Sequence, residues 1–120
     1  MITAIHHASL IISDLETSKR FYQDVLGLSI DKSRPELGFP GLWLTVGEQQ
    51  IHLLQLDNPD PVEGRPDHCG RDRHIAFTVD NFSQLVGCLE RANIPYTVSR
   101  SGRKALFCRD PDGNALEFIG

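Results

Sequence analysis

Residues 73–79, RHIAFTV, and residues 4–12, AIHHASLII, read alike, and the comparison decides the fold. Both are short apolar runs with a histidine embedded, and side chains on a strand alternate between faces. In the later run Ile75, Phe77 and Val79 form a bulky apolar face suited to lie under a helix. His74, Ala76 and Thr78 form the opposite face. Aligning the runs pairs His7 with His74, so Ile5, His7, Ser9 and Ile11 share one face and His6, Ala8, Leu10 and Ile12 the other. His6 is therefore expected near a helix, as a partly buried, hydrogen-bonded histidine.

Two more runs carry the pattern on: QIHLLQL at 50–56 holds His52, and ALEFI at 115–119 holds Glu117. His74 follows His7 by 67 residues, and Glu117 follows His52 by 65. Such near-equal spacing is the mark of an internal duplication, with one pair of metal-ligand side chains per copy. Any one of these histidines taken singly reads best as an ordinary polar residue on a half-exposed sheet. Four at matching positions read as a site.

The segments between fill out the repeat. After the strand at 4–12, Ser13 and Glu16 have capping-box spacing, and Leu15, Tyr22, Val25 and Leu26 make a helical stripe. Gly27 stands where a left-handed cap belongs. Strands are expected near 28–33, 41–47 and 50–56, with a turn at Gly47-Glu48. Residues 57–72, DNPDPVEGRPDHCGRD, have three prolines, two glycines and no periodicity, and read as a connector. The second copy has a strand at 73–79 and an N-cap at Asp80. Its helix has Phe82, Leu85, Val86, Leu89 and Ala92 as its core face and is ended by Pro95. Strands near 96–99, 104–108 and 115–119 follow, with Asp110-Pro111-Asp112-Gly113 as a turn. The result is an α+β fold, one domain over 1–120, in which two βαβββ modules (1–56 and 73–120) form a cupped mixed sheet with helices outside. One such half cannot bury both faces of its sheet, so two must combine.

The bulk properties fit a single globular domain: 120 residues, 40% hydrophobic and 23% charged. A net charge of -4 argues against a nucleic-acid or anionic-membrane binder. No apolar run is long enough for a membrane span, and no secretory signal is evident. Cys69, Cys88 and Cys108 are odd in number and lack a C-x-x-C pair, which favours a reduced, cytoplasmic protein over a disulfide scaffold. Three imidazoles and a carboxylate suit one divalent first-row ion, namely Ni, Zn, Co, Fe or Mn.

At these residues a family resemblance emerges. His7-Ala8-Ser9-Leu10, Asp14-Leu15-Glu16 through Phe21-Tyr22, Val25-Leu26-Gly27-Leu28, Arg73-His74-Ile75-Ala76-Phe77, and Asp110-Pro111-Asp112-Gly113-Asn114 through Glu117 resemble the vicinal oxygen chelate superfamily. That superfamily includes glyoxalase I, bleomycin- and fosfomycin-resistance proteins, methylmalonyl-CoA epimerase and extradiol dioxygenases. The resemblance spans the chain and implies paired βαβββ modules around a metal, often in a homodimer. It implies that His7, His74 and Glu117 match ligand positions, and that the metal holds two neighbouring substrate oxygens. Bacterial-type glyoxalase I has a glutamate where this chain has His52, so Glu117 remains the one carboxylate able to move a proton. The stretch from Ile51 through Gly64-Arg65-Pro66 to His74 resembles a glyoxalase-like subgroup of plants and photosynthetic bacteria.

Arg65, Arg71, Arg73, Arg100 and Arg103 lie in or beside expected loops. Each singly reads as a solvated rim residue paired with Asp67, Asp72 or Asp110. Arg73 and Arg103, nearest the cup strands, are the candidates to bind a substrate carboxylate or phosphate. Trp43 and Phe39 are read as packing residues and His68 as a loop histidine. The leading expectation is a metal-dependent glyoxalase-like lyase or isomerase, in which Glu117 is catalytic and His7, His52, His74 and Glu117 hold the ion. The rivals are an Fe(II) or Mn(II) ring-cleaving dioxygenase using His7, His74 and Glu117, and a non-catalytic small-molecule binding protein.

Overall fold

A computed structural model describes residues 1–120, which divide into two compact units, Met1–Asp60 and Pro61–Gly120. The division falls inside the proline-rich connector. Each unit is a βαβββ module with its own four-stranded mixed sheet.

In the first unit β1 (His7–Ile12) pairs in parallel with β4 (Gln49–Gln55). β4 continues antiparallel to β3 (Gly41–Val46), and β3 to β2 (Ser29–Asp31). Ala8, Leu10, Ile51, Leu53 and Leu44 are linked by register on one face, with Ile51, Leu53 and Leu44 buried. Gln55 lies on the same face, and its Oε1 accepts from the Leu15 N–H at 2.8 Å, so the helix starts over this side. The helix α1 (Leu15–Lys19) widens into a π-helical stretch, Arg20–Val25, that buries the adjacent Phe21 and Tyr22 edge to face. Gly27, at φ +76°, ends it as expected: the Leu28 N–H reaches back to the Tyr22 carbonyl at 3.0 Å.

In the second unit β5 (His74–Thr78) pairs in parallel with β8 (Ala115–Ile119). β8 pairs antiparallel with β7 (Ala105–Arg109), and β7 with β6 (Tyr96–Val98). Phe77 stacks on Phe118, its register partner, and Leu106 and Leu116 are fully buried on that face. The core of α2 (Phe82–Arg91) is Leu85 and Leu89. The alternation read from 73–79 therefore holds, with the bulky face packed and His74 opposite. Cys108 sits in this core, where burial, with the thiol of Cys69 and the carboxylate of Asp110 nearby, pushes its thiol pKa up to about 12.

Several local expectations are corrected. The N-cap of α1 is Asp14, not Ser13: Asp14 has extended φ/ψ and accepts from the N–H and hydroxyl of Thr17. A carboxylate at the positive helix end is the stronger acceptor, and starting one residue later moves Glu16 out of capping-box register. Asn81, not Asp80, caps α2 by accepting from the Gln84 N–H. That helix ends at Asn93 (φ 56°), with Ile94 N–H to Leu89 carbonyl and Asn93 N–H to Glu90 carbonyl, before Pro95 is reached, and Ala92 is exposed. Residues 4–6 lie before the first strand. His6 is exposed and meets His7, Nδ1 to Nδ1 at 2.8 Å, rather than being partly buried by the helix. The connector holds one short 3-10 turn, Cys69–Arg71. No helix is long and apolar enough to cross a membrane.

Candidate functional site

Each unit gathers two of the four expected ligands on the face opposite its helix. In the first unit His7 and His52 stack at 3.9 Å between ring centroids, and Trp43 stacks on the far side of His52 at 4.5 Å. The strand register causes this: Ser9 and Trp43 flank His52 on either side, and His7 is diagonal to it. Trp43 thus packs against a candidate ligand rather than in the helix-side core. His52 is 9% exposed. Burial lowers its pKa, and the neighbouring His7, His6 and Arg34 lower it further, so the ring is neutral at pH 7.

The orientation of that ring is set by a short relay. Gln50 donates through Nε2 to Asp31 Oδ2 at 2.7 Å, which turns its Oε1 toward His52 Nε2 at 2.8 Å. His52 must then donate from Nε2, leaving Nδ1 as the nitrogen with a lone pair. Asp31 stays ionised because the Ser33 hydroxyl and N–H, then Gln50, hold its carboxyl below the usual range.

In the second unit His74 has the same set-up through different partners. Its Nδ1 lies 2.9 Å from the Asp72 carbonyl, which can only accept, so Nδ1 carries a proton. Nε2 faces Glu117 Oε2 at 3.0 Å. The other oxygen of Glu117 accepts from the Arg103 guanidinium, and the carboxylate is buried at 5% exposure. With Nδ1 protonated, Nε2 and Oε2 are two acceptors face to face, and a proton or a cation between them satisfies both. The 3.0 Å gap is also that between two ligands at right angles on a first-row divalent ion, given bonds of about 2.1 Å. Within neither unit do three His, Cys, Asp or Glu side chains converge on one point.

Asp72 anchors this corner. Arg65 and Arg109 both pair with its carboxylate, which holds it far below the ordinary carboxylate range. Arg109 also donates to the carbonyls of Pro66 and Gly113. The connector is thereby tied to β7 and to the Asp110 turn, and the Asp72 carbonyl is fixed for His74.

A cavity of about 590 Å³ opens in the second unit beside Glu117 and His74. Of the two expected substrate-binding arginines, Arg103 lines it and Arg73 does not; the Arg73 backbone N–H donates to Asp72 Oδ1. His68, read as a loop residue, also lines it: its Nδ1 accepts from the Gly70 N–H, and its ring meets Phe107 edge-on at 5.1 Å. Phe107 was legible only through strand alternation, since it is the register partner of Glu117. Asp31 and Gln50 carried no sequence signal, because their roles depend on contacts across strands; Asp72 was expected as an ion-pair partner of the loop arginines, as Arg65 shows, but not as the acceptor that orients His74.

Two mixed βαβββ modules, each offering an imidazole oriented by a second partner, define the class. The chain belongs to the glyoxalase/bleomycin resistance protein/dioxygenase superfamily, whose family model matches residues 4–118. It is 34% identical to Glyoxylase I 4 of Arabidopsis thaliana, over 98% of this chain and 70% of that protein. It is 30% identical to the metallothiol transferase FosB of Staphylococcus epidermidis, over 98% of this chain and 81% of that protein. Among solved structures it resembles a glyoxalase family protein from Enterococcus faecalis, with a TM-score of 0.71 and 30% identity, covering 98% of this chain and 97% of that one.

Proposed function

We propose that this chain is a metal-dependent glyoxalase-like lyase or isomerase that works as a homodimer on a small substrate held through neighbouring oxygens. His7, His52, His74 and Glu117 are its ligands for one divalent ion. The observation that carries this reading is the shared preparation of His52 and His74. Each donates one ring N–H to a fixed acceptor, Gln50 Oε1 or the Asp72 carbonyl, and keeps the other nitrogen for a ligand. Metal-binding histidines are oriented in this way. The name of the Arabidopsis relative, Glyoxylase I 4, supports the glyoxalase-like part of this reading, whereas the Staphylococcus relative is named as a transferase.

When bound, the ion supplies Lewis acidity, drawing charge onto the substrate oxygens and acidifying the adjacent C–H. The proton then falls to Glu117. Arg103 holds Oε1, so Oε2 is the atom left both to hold the ion and to take and return the proton, which it would do when released from the ion. A ligated imidazole has no spare lone pair, so His52 cannot share that task.

Elemental mass spectrometry on untagged protein, purified without chelators, tests the reading. About one Ni, Zn or Co per chain directs assays to lyase and isomerase substrates; Fe or Mn directs them to oxygen uptake with catechols. A metal-free protein that also refused added metal would remove the ligand set and leave small-molecule binding as the function.

A further inference from the structure

We infer that His68 is a further catalytic residue, a neutral imidazole that donates its Nε2–H to a substrate oxygen in the cavity of the second unit. The inference rests on the reading above, in which Glu117 takes the substrate proton, and adds a group that meets the charge left behind.

The backbone places the proton of this ring. The Gly70 N–H donates to His68 Nδ1 at 3.0 Å. That nitrogen must therefore offer its lone pair, and the single proton of the neutral ring is on Nε2. No group of the protein hydrogen-bonds to Nε2, and the half-buried side chain lines the cavity. The other imidazole of the lining, His74, is held the opposite way: its Nδ1 donates to the Asp72 carbonyl and its Nε2 keeps the lone pair. The two tautomers divide the chemistry. His74 presents an electron pair, as an ion requires. His68 has its only lone pair occupied by Gly70, so it serves neither as a ligand nor as a base. What it brings to the cavity is a donor.

The ring is held in place as well as in tautomer. Phe107 meets His68 edge-on at 5.1 Å and His74 at 6.0 Å, so one aromatic ring spaces the donor from the ligand. Phe107 is also the register partner of Glu117. The turn beneath His68 is anchored: the Arg71 N–H bonds the His68 carbonyl at 2.9 Å, the Asp72 N–H bonds the Cys69 carbonyl at 3.1 Å, and Cys69 is buried. Gly70 lets the imidazole fold back over this turn, since a Cβ there would lie 2.9 Å from His68 Cε1 and 3.0 Å from Nδ1. When a C–H proton passes to Glu117, the electron pair stays on the substrate and its charge spreads onto the neighbouring oxygen. The His68 Nε2–H bonds that oxygen and keeps its own proton. A donor already fixed in position needs no reordering as the charge develops.

The test joins ring nitrogen-15 NMR to a titration with acetohydroxamate, whose two neighbouring oxygens and negative charge stand in for the deprotonated substrate. At slightly alkaline pH, spectra of the chelator-treated protein should show His68 protonated at Nε2 alone. Acetohydroxamate is then titrated, by calorimetry, into metal-loaded parent, His68→Asn and Gly70→Ala. Asparagine keeps an acceptor for the Gly70 N–H two residues on and removes the donor; alanine at 70 keeps the imidazole and displaces it. Each variant should bind acetohydroxamate about tenfold or more weakly, with the metal content of the parent, and circular dichroism checks that both fold. A proton on His68 Nδ1, or a His68→Asn variant that binds as tightly as the parent, overturns the role of His68 and leaves the metal reading standing. Protein that takes up no metal and binds no acetohydroxamate overturns the metal reading and this role with it.

Discussion

Glu117 has both oxygens engaged in a nearly solvent-free position, one by Arg103 and the other facing His74. A carboxylate so placed has few orientations open to it, which is what proton transfer to a fixed substrate atom requires. Replacing it with glutamine keeps the volume and removes the base. Glu117→Gln should lower turnover of a confirmed substrate by about 10²- to 10⁴-fold, measured by steady-state kinetics alongside metal content. Unchanged turnover would take Glu117 out of the proton-transfer step. The neighbouring Phe107, its cross-strand partner, and His68 give the same corner an aromatic surface.

At the scale of elements, helix caps and close strand approaches carry the local energetics. The pKa of Asp14 is lowered from 3.8 by the Thr17 hydroxyl and then the Thr17 N–H. Because the folded value lies below the unfolded one, this contribution is complete above pH 3.8 and is lost as pH falls through the folded value. Asp14→Ala should therefore lower the melting temperature near neutral pH, and the gap to the parent should shrink as both are melted in acid. A gap that persisted at low pH would show that the charged carboxylate is not what caps the helix. Gly41 opens β3 opposite Leu54, and a Cβ there would lie 2.3 Å from the Leu53 carbonyl oxygen. Backbone atoms cannot give way as a flexible side chain can, so Gly41→Ala should cost about 1–3 kcal/mol, read from denaturant unfolding. A neutral result would mean that β3 and β4 separate freely at that end.

At the scale of the whole molecule, the two units each contribute two ligands to the proposed set, so neither completes it alone. A ligand that binds only the folded state raises its stability by mass action. Protein purified with its metal should therefore melt at lower temperature after chelation and recover when the ion is returned. His7→Ala and His74→Ala, one in each unit, should each remove most of that response in a thermal-shift assay. If His7→Ala left the response intact while His74→Ala removed it, the second unit would hold the ion without the first.

The parts legible in the sequence are those that depend on near neighbours in the chain. The 2-residue alternation in 73–79 put His74 opposite Ile75 and Phe77, and the duplication then chose His7 over His6 as the likeness of His74. Gly27, Gly47 and Gly113 marked turns because each takes a positive φ that other residues resist. The order β-α-β-β-β in each half followed from such local signals.

Partners distant in the chain were decided by tertiary structure alone. Arg109 reaches Asp72 across 37 residues, and His74 reaches Glu117 across 43. The caps were misplaced by one residue because neighbouring polar side chains compete for the same N–H, and backbone conformation settles which wins. Arg103 was read as a substrate ligand; it lines the cavity, and only the fold shows that its Nη2 also bonds Glu117. Side-chain periodicity is a property of the backbone and can be read along the chain. The pairing of charges depends on which side chains the folded strands and loops bring within reach, and only the fold supplies that.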